Sequence, residues 1–531
     1  MDRNTLLAVT LCFLIFMGWQ KFYIEPHTLQ ENAVRQSLVA QTTPPNVAGV
    51  AQGSTLNNST VSSQSHHSAS EPEQIQRPSV KLPVRTGTGD ALLGDAGSFF
   101  VGWNLKSYKL GISPQAAAVD IQAVTNQPGQ VSLAFDDKNF EYLNNVQGTL
   151  SSTPQGALWT YEDKNVKLTR EYLTSDQQPY VDLRINAEFK SKRPNYAFIS
   201  LASQGIEKDP EAQDRQLVYF SDQKINRILI DKDTIEQANS ALPAKYIGAT
   251  NRYFVMAVVA QSPMEAKALV QPLGPKSGRI SLVYPVTGNT ITIPTRVYFG
   301  PKEINLLKQV DPTLDHTVDF GWFTYFAYFL LKALKWLYQF VQNYGVAIIL
   351  LTVGLKIATY PLTYKSMKSM KKMAKLQPQL QKLREKYKDD KEALNREMLT
   401  MMKTQGYNPM AGCAPMLIQM PVFFALYRVL YSSVELYHAP FALWIQDLST
   451  KDPYFVTPVL LAGTMFFQQK LTPNTMTDPA QKRMMQLMPL IFGAMMISLP
   501  AGLTIYMLVN ALASIVQQLI LNKKLDAAPA R

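Results

Sequence analysis

The stretch TVGLKIATYPLT, residues 352–363, decides how the chain is read. It closes an apolar run that begins around Tyr344 and is long enough to cross a bilayer. Thr352, Lys356, Thr359 and Thr363 recur at spacings of 4, 3 and 4, which puts all four on one face of a helix. A lysine at membrane depth costs roughly 2.5 kcal/mol or more unless it faces a partner or water. The acids beyond residue 413 are Glu435, Asp447, Asp452, Asp478 and Asp526, all in expected loops. With no carboxylate to meet it, Lys356 is expected to face a wet cavity between helices. The competing reading is snorkelling, in which the side-chain stem carries the ammonium to the headgroups. Lys356 lies about eight residues from the inner end of the run, ~12 Å at helical rise, which is a long reach.

Just upstream, FGWFTYFAYFLLKALKWLYQFVQ (320–342) places Lys332, Lys335, Gln339 and Gln342 at spacings of 3, 4 and 3 among closely set aromatics. That pattern predicts an amphipathic helix in the membrane interface; an ordinary surface helix is the bland alternative. Downstream, residues 365–403 carry 12 Lys or Arg against 5 Asp or Glu, a large part of the net charge of +12. A basic block beside a span marks the cytoplasmic side, with anionic lipid or ribosomal RNA as candidate neighbours. Met367, Met370, Met373, Leu376, Leu380 and Leu383 keep helical spacing, and Asp389-Asp390 are placed to cap a second helix, so a helical hairpin is expected here. Four further apolar runs follow, at about 413–434, 455–470, 484–499 and 501–521.

The chain start reads as an uncleaved anchor, residues 1–24, because Met17-Gly18-Trp19-Gln20 offers no small-residue cleavage site. Residues 25–90 are rich in Gln, Ser, Asn, Thr and Pro and read as a flexible linker. From 91 to 312, runs such as VSLAF (131–135), YVDLRINAEF (180–189) and RYFVMAVVA (252–260), punctuated by Gly, Pro and Asn, predict an antiparallel sandwich. The expected organisation continues with an interfacial helix (313–342), a second span (343–364), the hairpin (365–412), four spans (413–522) and a tail (523–531). The fold class is thus a polytopic α-helical membrane protein of six spans plus an all-β periplasmic sandwich domain. Lys and Arg in the loops put both termini and the hairpin in the cytoplasm and the sandwich outside.

Two cysteines, Cys12 and Cys413, and five scattered histidines give no disulfide framework and no metal-ligand spacing. Ser369 and Lys372 fit S-x-x-K without the companion motifs a nucleophile needs, so no catalytic residue is assigned. Tyr506, Asn510, Ser514 and Gln517 share a face of the last run; with Gln419, Tyr427 and Gln468-Gln469 they are candidates to line a cavity with Lys356, or to act as interhelical glue. Seventeen of 21 methionines lie beyond residue 364, which suits an adaptable apolar surface.

TYPLT (359–363), NPMAGCAPMLIQMPVFFALYRVL (408–430), APFALWIQDLSTKDPYF (439–455), TDPAQKRMMQLMPLIF (477–492) and PAGLTIYMLVN (500–510), in that order, resemble the YidC membrane insertase family. The external β domain resembles the Gram-negative form. The resemblance implies five core spans around a groove open to the cytoplasm and lipid, in the bacterial inner membrane. From the spacings read above, the groove is expected to fall on Lys356, Thr352, Thr359, Gln419, Tyr506 and Asn510. A substrate-contacting apolar face falls on Met420, Pro421, Phe423, Met488 and Phe492. Members typically carry arginine where this chain has Lys356, so the charge is kept and the bidentate fork is lost. Implied partners are nascent membrane proteins, the Sec translocon, anionic lipids, and the ribosome through the hairpin and the 470–483 loop. No cofactor and no small-molecule substrate is implied. Two rivals are a solute transporter whose lysine binds an anion, against which no inverted repeat is visible, and an intramembrane enzyme, for which no nucleophile–base pair stands out.

Overall fold

The computed structural model describes residues 80–527, apart from 97–98, 126–130, 145, 205–213, 231–237, 262–264, 388–389, 405–409 and 473–478. The expected anchor, and the linker as far as residue 79, lie outside the described residues. The last part of the expected linker is already sheet: β1 (Lys81–Arg85) and β2 (Gly89–Gly94) pair antiparallel, with Val84, Ala91 and Leu93 buried. Leu82 and Val84 alternate with charge, a strand signal that the polar composition before it had masked. With β3 (Gly102–Lys109) and β4 (Ala118–Asp120) these strands form a four-stranded sheet.

The larger sheet begins with β5 (Val131–Phe135), β6 (Thr149–Thr153), β7 (Gly156–Glu162), β8 (Val166–Leu173), β9 (Tyr180–Phe189) and β10 (Tyr196–Gln204). It continues through β11 (Gln216–Ser221), β12 (Lys224–Leu229), β13 (Ala238–Thr250), β14 (Phe254–Ala260), β15 (Lys267–Gly274), β16 (Ser277–Pro285) and β17 (Thr290–Pro301). Strand β13 turns the corner. Ala238 and Asn239 pair with β15, the register shifts before Pro243 meets Lys267, and Ala244 and Tyr246–Thr250 pair with β11. Pro243, which lacks a ladder donor, sits at that break, as strand prolines do. Val181, Leu183, Ile185 and Ala187 of β9 alternate into one core shared with Ile199 and Leu201 of β10 and Leu93 and Trp103 of the small sheet.

Strand β14 departs from the alternation expected of a half-exposed strand. Met256 and Val258 enter that core, while Val255, Ala257 and Val259 enter a second one on the opposite face. A continuous apolar run is what a strand buried on both faces requires. The second core takes in Ile304, Leu307 and Val310 of α1 (Ile304–Val310), and Leu330 and Leu334 of α2 (Thr324–Val341). It runs on to Ile348, Leu426 and Leu503 among the apolar helices. The β domain is therefore fixed to the helices by shared packing at this end.

Gly156 opens β7 at φ +145°, and a Cβ there would lie 2.0 Å from the carbonyl oxygen of Tyr172. Gly156→Ala is expected to cost about 2–3 kcal/mol, the scale of such backbone strain, and to lower the thermal midpoint by several degrees. Gly288→Ala, whose nearest neighbour would be 3.6 Å away, should leave the midpoint unchanged.

Helix α2 is shorter than the segment assigned to it, because a 3-10 turn at Leu314–Thr317 and another at Gly321–Phe323 precede it. It buries Ala327, Leu330, Leu331 and Leu334 and exposes Tyr325 (94%), Phe329, Trp336 and Phe340. Lys335 is drawn off the polar face into contact with Glu303 and Glu435, each at 3.1 Å. Gln342, at φ 50°, ends α2, and the Asn343 side chain accepts the Val346 N–H to start α3 (Tyr344–Lys386). At 43 residues α3 is ~64 Å long, about twice a hydrocarbon core. The expected span and the first arm of the expected hairpin are thus one helix. Asp390 accepts the N–H groups of Glu392 and Ala393 at the start of α4 (Lys391–Thr404).

Four helices follow: α5 (Met410–Ser432), α6 (Val456–Leu471), α7 (Pro479–Met496) and α8 (Ala501–Ala527). Packing runs in the series α5–α3–α8–α6–α7. By length and composition, Tyr344–Lys372 and Ala501–Lys524 suffice to cross a membrane among the described residues; Gln486–Met496 is a shorter apolar stretch.

Candidate functional site

The one-face spacing around Lys356 puts its polar residues toward α8 and leaves Leu350, Val353 and Ile357 exposed on other sides of α3. Helix α3 meets its own hydroxyl groups cheaply. Thr352 donates to the Ile348 carbonyl at 2.7 Å, Thr359 to Leu355 at 2.8 Å and Thr363 to Thr359 at 3.1 Å. Backbone acceptance of this kind lets threonines sit in an apolar setting without an unpaired group.

Lys356 Nζ donates to Ser514 Oγ at 2.8 Å, and Ser514 Oγ donates to the Asn510 carbonyl at 2.7 Å. One turn on, Gln517 Nε2 donates to the Lys356 carbonyl at 2.9 Å. These contacts stitch α3 to α8 in both directions. An ammonium has three donors, and no carboxylate lies within ion-pair distance of Lys356 among the described residues. Its remaining hydrogens face a cavity of about 250 Å³. At about 30 Å³ per water, several waters fit.

The cavity is walled by α3, α5, α6 and α8. Thr352, Lys356, Thr359, Gln419, Tyr506 and Asn510 all line it. Gln419 Nε2 donates to the Tyr506 hydroxyl at 2.7 Å, which ties α5 to α8 across the site. Gln468 reaches the lining, while Tyr427 packs at a tilt against Tyr431 with ring centroids 5.6 Å apart. Sequence reasoning missed Gln518 and Thr472, paired at 3.3 Å, and the rim methionines Met367 and Met370. Gln518 was signalled by its place one turn beyond Ser514; Thr472 carried no local signal.

The expected apolar face is divided. Met420, Pro421 and Phe423 belong to α5, Met488 and Phe492 to α7, at opposite ends of the packing series. Met420, Pro421 and Met488 are exposed. Phe423 packs on the second core and Phe492 on the small cluster of Leu461, Met496 and Ala511. Exposed Leu487, Leu490, Ile491 and Met495 extend the apolar surface of α7.

The family model described as YidC periplasmic domain matches residues 122–335, and the one described as 60Kd inner membrane protein matches 336–528. A "Membrane protein insertase YidC" of Geotalea uraniireducens is 32% identical over 575 residues, covering 99% of this chain and 100% of the relative. The chain belongs to the YidC family. The YidC relative of Geobacter metallireducens is 45% identical over 318 residues, and in that match the chain spans 59% of the relative's length. A crystal structure described as an active YidC insertase is 18% identical, covers 85% of this chain and 94% of its own, and has a TM-score of 0.36. The two family matches meet between residues 335 and 336, within α2, so the cavity of this YidC-family chain lies wholly in the second.

Tyr506→Phe removes the acceptor of Gln419 in the cavity. Such bonds between membrane helices average about 0.6 kcal/mol. The expected result is a thermal midpoint lower by a degree or two, checked by unfolding in detergent.

Proposed function

We propose that this chain is an inner-membrane protein insertase working through the cavity around Lys356. The observation that carries the reading is a half-buried ammonium with no acid beside it, held by Ser514 in a cavity lined by hydroxyl and amide side chains as well as apolar ones, whose flanking helices are apolar outside. The ammonium attracts the polar, often acidic, outer segment of a nascent membrane protein. A wet cavity shortens the apolar distance that segment must cross. The substrate's own apolar span then leaves along Met420, Pro421, Phe423, Met488 and Phe492 into lipid, driven by burial of about 20 apolar residues. No bond is made or broken, and no nucleotide is used.

In this reading six spans cross the membrane. Residues 1–24 supply the first, and α3, α5, α6, α7 and α8 form the core. Both termini and the basic α3–α4 hairpin are cytoplasmic and the β domain is periplasmic, as the charge distribution favours. The hairpin and residues 470–483, which include the last residues of α6 and the first turn of α7, receive the ribosome or anionic lipid, and the Sec translocon shares substrates. Liposomes carrying the protein, given a short single-span substrate made in a cell-free system, should shield that substrate from protease. Equal protection by empty liposomes would remove the proposal.

A further inference from the structure

Where the β domain meets the outer end of α5, four cations converge from separate elements. Arg227 comes from β12, Arg252 from the turn before β14, Lys302 from the residue after β17 and Arg428 from α5. The carboxylates that face them are Asp214 and Asp319, so basic groups outnumber acidic ones by four to two. Both carboxylates already accept other bonds, Asp214 from the Tyr431 hydroxyl at 2.9 Å and Asp319 from the Gly321 N–H at 2.9 Å.

The cations are unevenly satisfied. Arg227 donates to the carbonyls of His316 and Thr317. Arg252 donates from Nε to the Tyr431 carbonyl and stacks over the Tyr431 ring at 3.6 Å, but its buried Nη2 has no hydrogen-bond partner. Lys302 is only 7% exposed; its backbone N–H donates to the Tyr253 carbonyl at 2.8 Å, and its amino group makes no hydrogen bond or ion pair among the described residues. Burial, with Arg227 and Arg252 nearby, pushes its amino group down to about 7. A buried charge left unpaired costs several kcal/mol, and a bound anion relieves that cost.

We propose that this junction binds a phosphate oxyanion, contributed by a phospholipid headgroup of the leaflet facing the β domain. Depth supports the lipid source. Arg428 lies four residues before the end of α5, ~6 Å along the helix. The exposed aromatics of α2, whose lead-in turn starts at Gly321, suit the same interfacial level. Gly321, at φ +64°, leaves bare backbone against Arg428, where a Cβ would lie 3.4 Å from its Nε. Guanidinium groups favour phosphate through paired N–H donors, and the lysine adds a point charge.

The test uses the full chain in detergent and reads the thermal midpoint against added phosphatidylglycerol, inorganic phosphate or diacylglycerol. Phosphatidylglycerol should raise the midpoint at micromolar levels and diacylglycerol should not. A matching rise with inorganic phosphate at equal concentration would keep the anion site and overturn its lipid source. Lys302→Gln should weaken phosphatidylglycerol binding about tenfold, the scale of one charge-assisted bond. The exposed Arg428→Gln, less apt to disturb folding, should weaken it in the same direction. A wild-type midpoint indifferent to all three probes, or full binding in both variants, would overturn the proposal.

Discussion

Lys356→Glu is expected to abolish insertion, cutting the protease-protected yield of a substrate with an acidic outer segment at least tenfold. The ammonium donates to Ser514 Oγ and faces polar groups with no acid among them. In the proposed mechanism, a carboxylate there would repel the acidic segment that the ammonium draws in. At an effective dielectric of about 20, opposite unit charges 4 Å apart gain about 4 kcal/mol, and reversal changes the sign. A substrate with a neutral outer segment should lose much less. Lys356→Arg keeps the charge and should keep most of the activity. Ser514 offers one oxygen to a lysine point charge, so this site makes no use of a guanidinium fork. Lys356→Glu with wild-type yield on acidic substrates, at an unchanged thermal midpoint, would dispose of the charge mechanism.

Lys335→Glu should give the largest stability effect. Lys335 on α2 holds Glu303, at the start of α1, and Glu435, in the turn after α5. Burial pulls its amino group down, but Glu435 and Glu303 outweigh burial and hold it above the ordinary lysine value. Its contribution is therefore complete below the unfolded value of about 10.5 and fades as pH rises through the higher folded value. The Glu435 side chain is 9% exposed, so reversal leaves three carboxylates together in a poorly solvated place. Breaking such a pair costs about 3 kcal/mol or more, seen as a thermal midpoint lower by several degrees at pH 7. Lys335→Met should lose less. A midpoint for Lys335→Glu within a degree of wild type would show that solvent already screens the triad.

The cavity face was legible because Thr352, Lys356, Thr359 and Thr363 carry the helical period in four letters within twelve residues. Tyr506, Asn510, Ser514 and Gln517 repeat it on α8, and both sets line one cavity. Their partners across helices were not legible. Thr472 reaches Gln518 from a different helix, and a lone threonine at a helix end has no period to betray it. Lys335 looked like a solvated polar position because its partner Glu435 lies 100 residues away. Strand β14 shows the same limit, since a run apolar at every position does not say that two separate cores need it.

By itself, the sequence determined most of the long helices and strands, though not β1 and β2 inside the expected linker, and where charge sits along the chain. Those properties follow from local periodicity and from the cost of placing charge in an apolar medium. Only the tertiary structure decided that α3 runs unbroken past its apolar stretch, and that the sheet and the apolar helices share one core. It also decided that Arg227, Arg252, Lys302 and Arg428 meet at one junction. Each of these depends on surfaces brought together from distant parts of the chain, and pairwise packing of that kind leaves no repeat in the residues that make it.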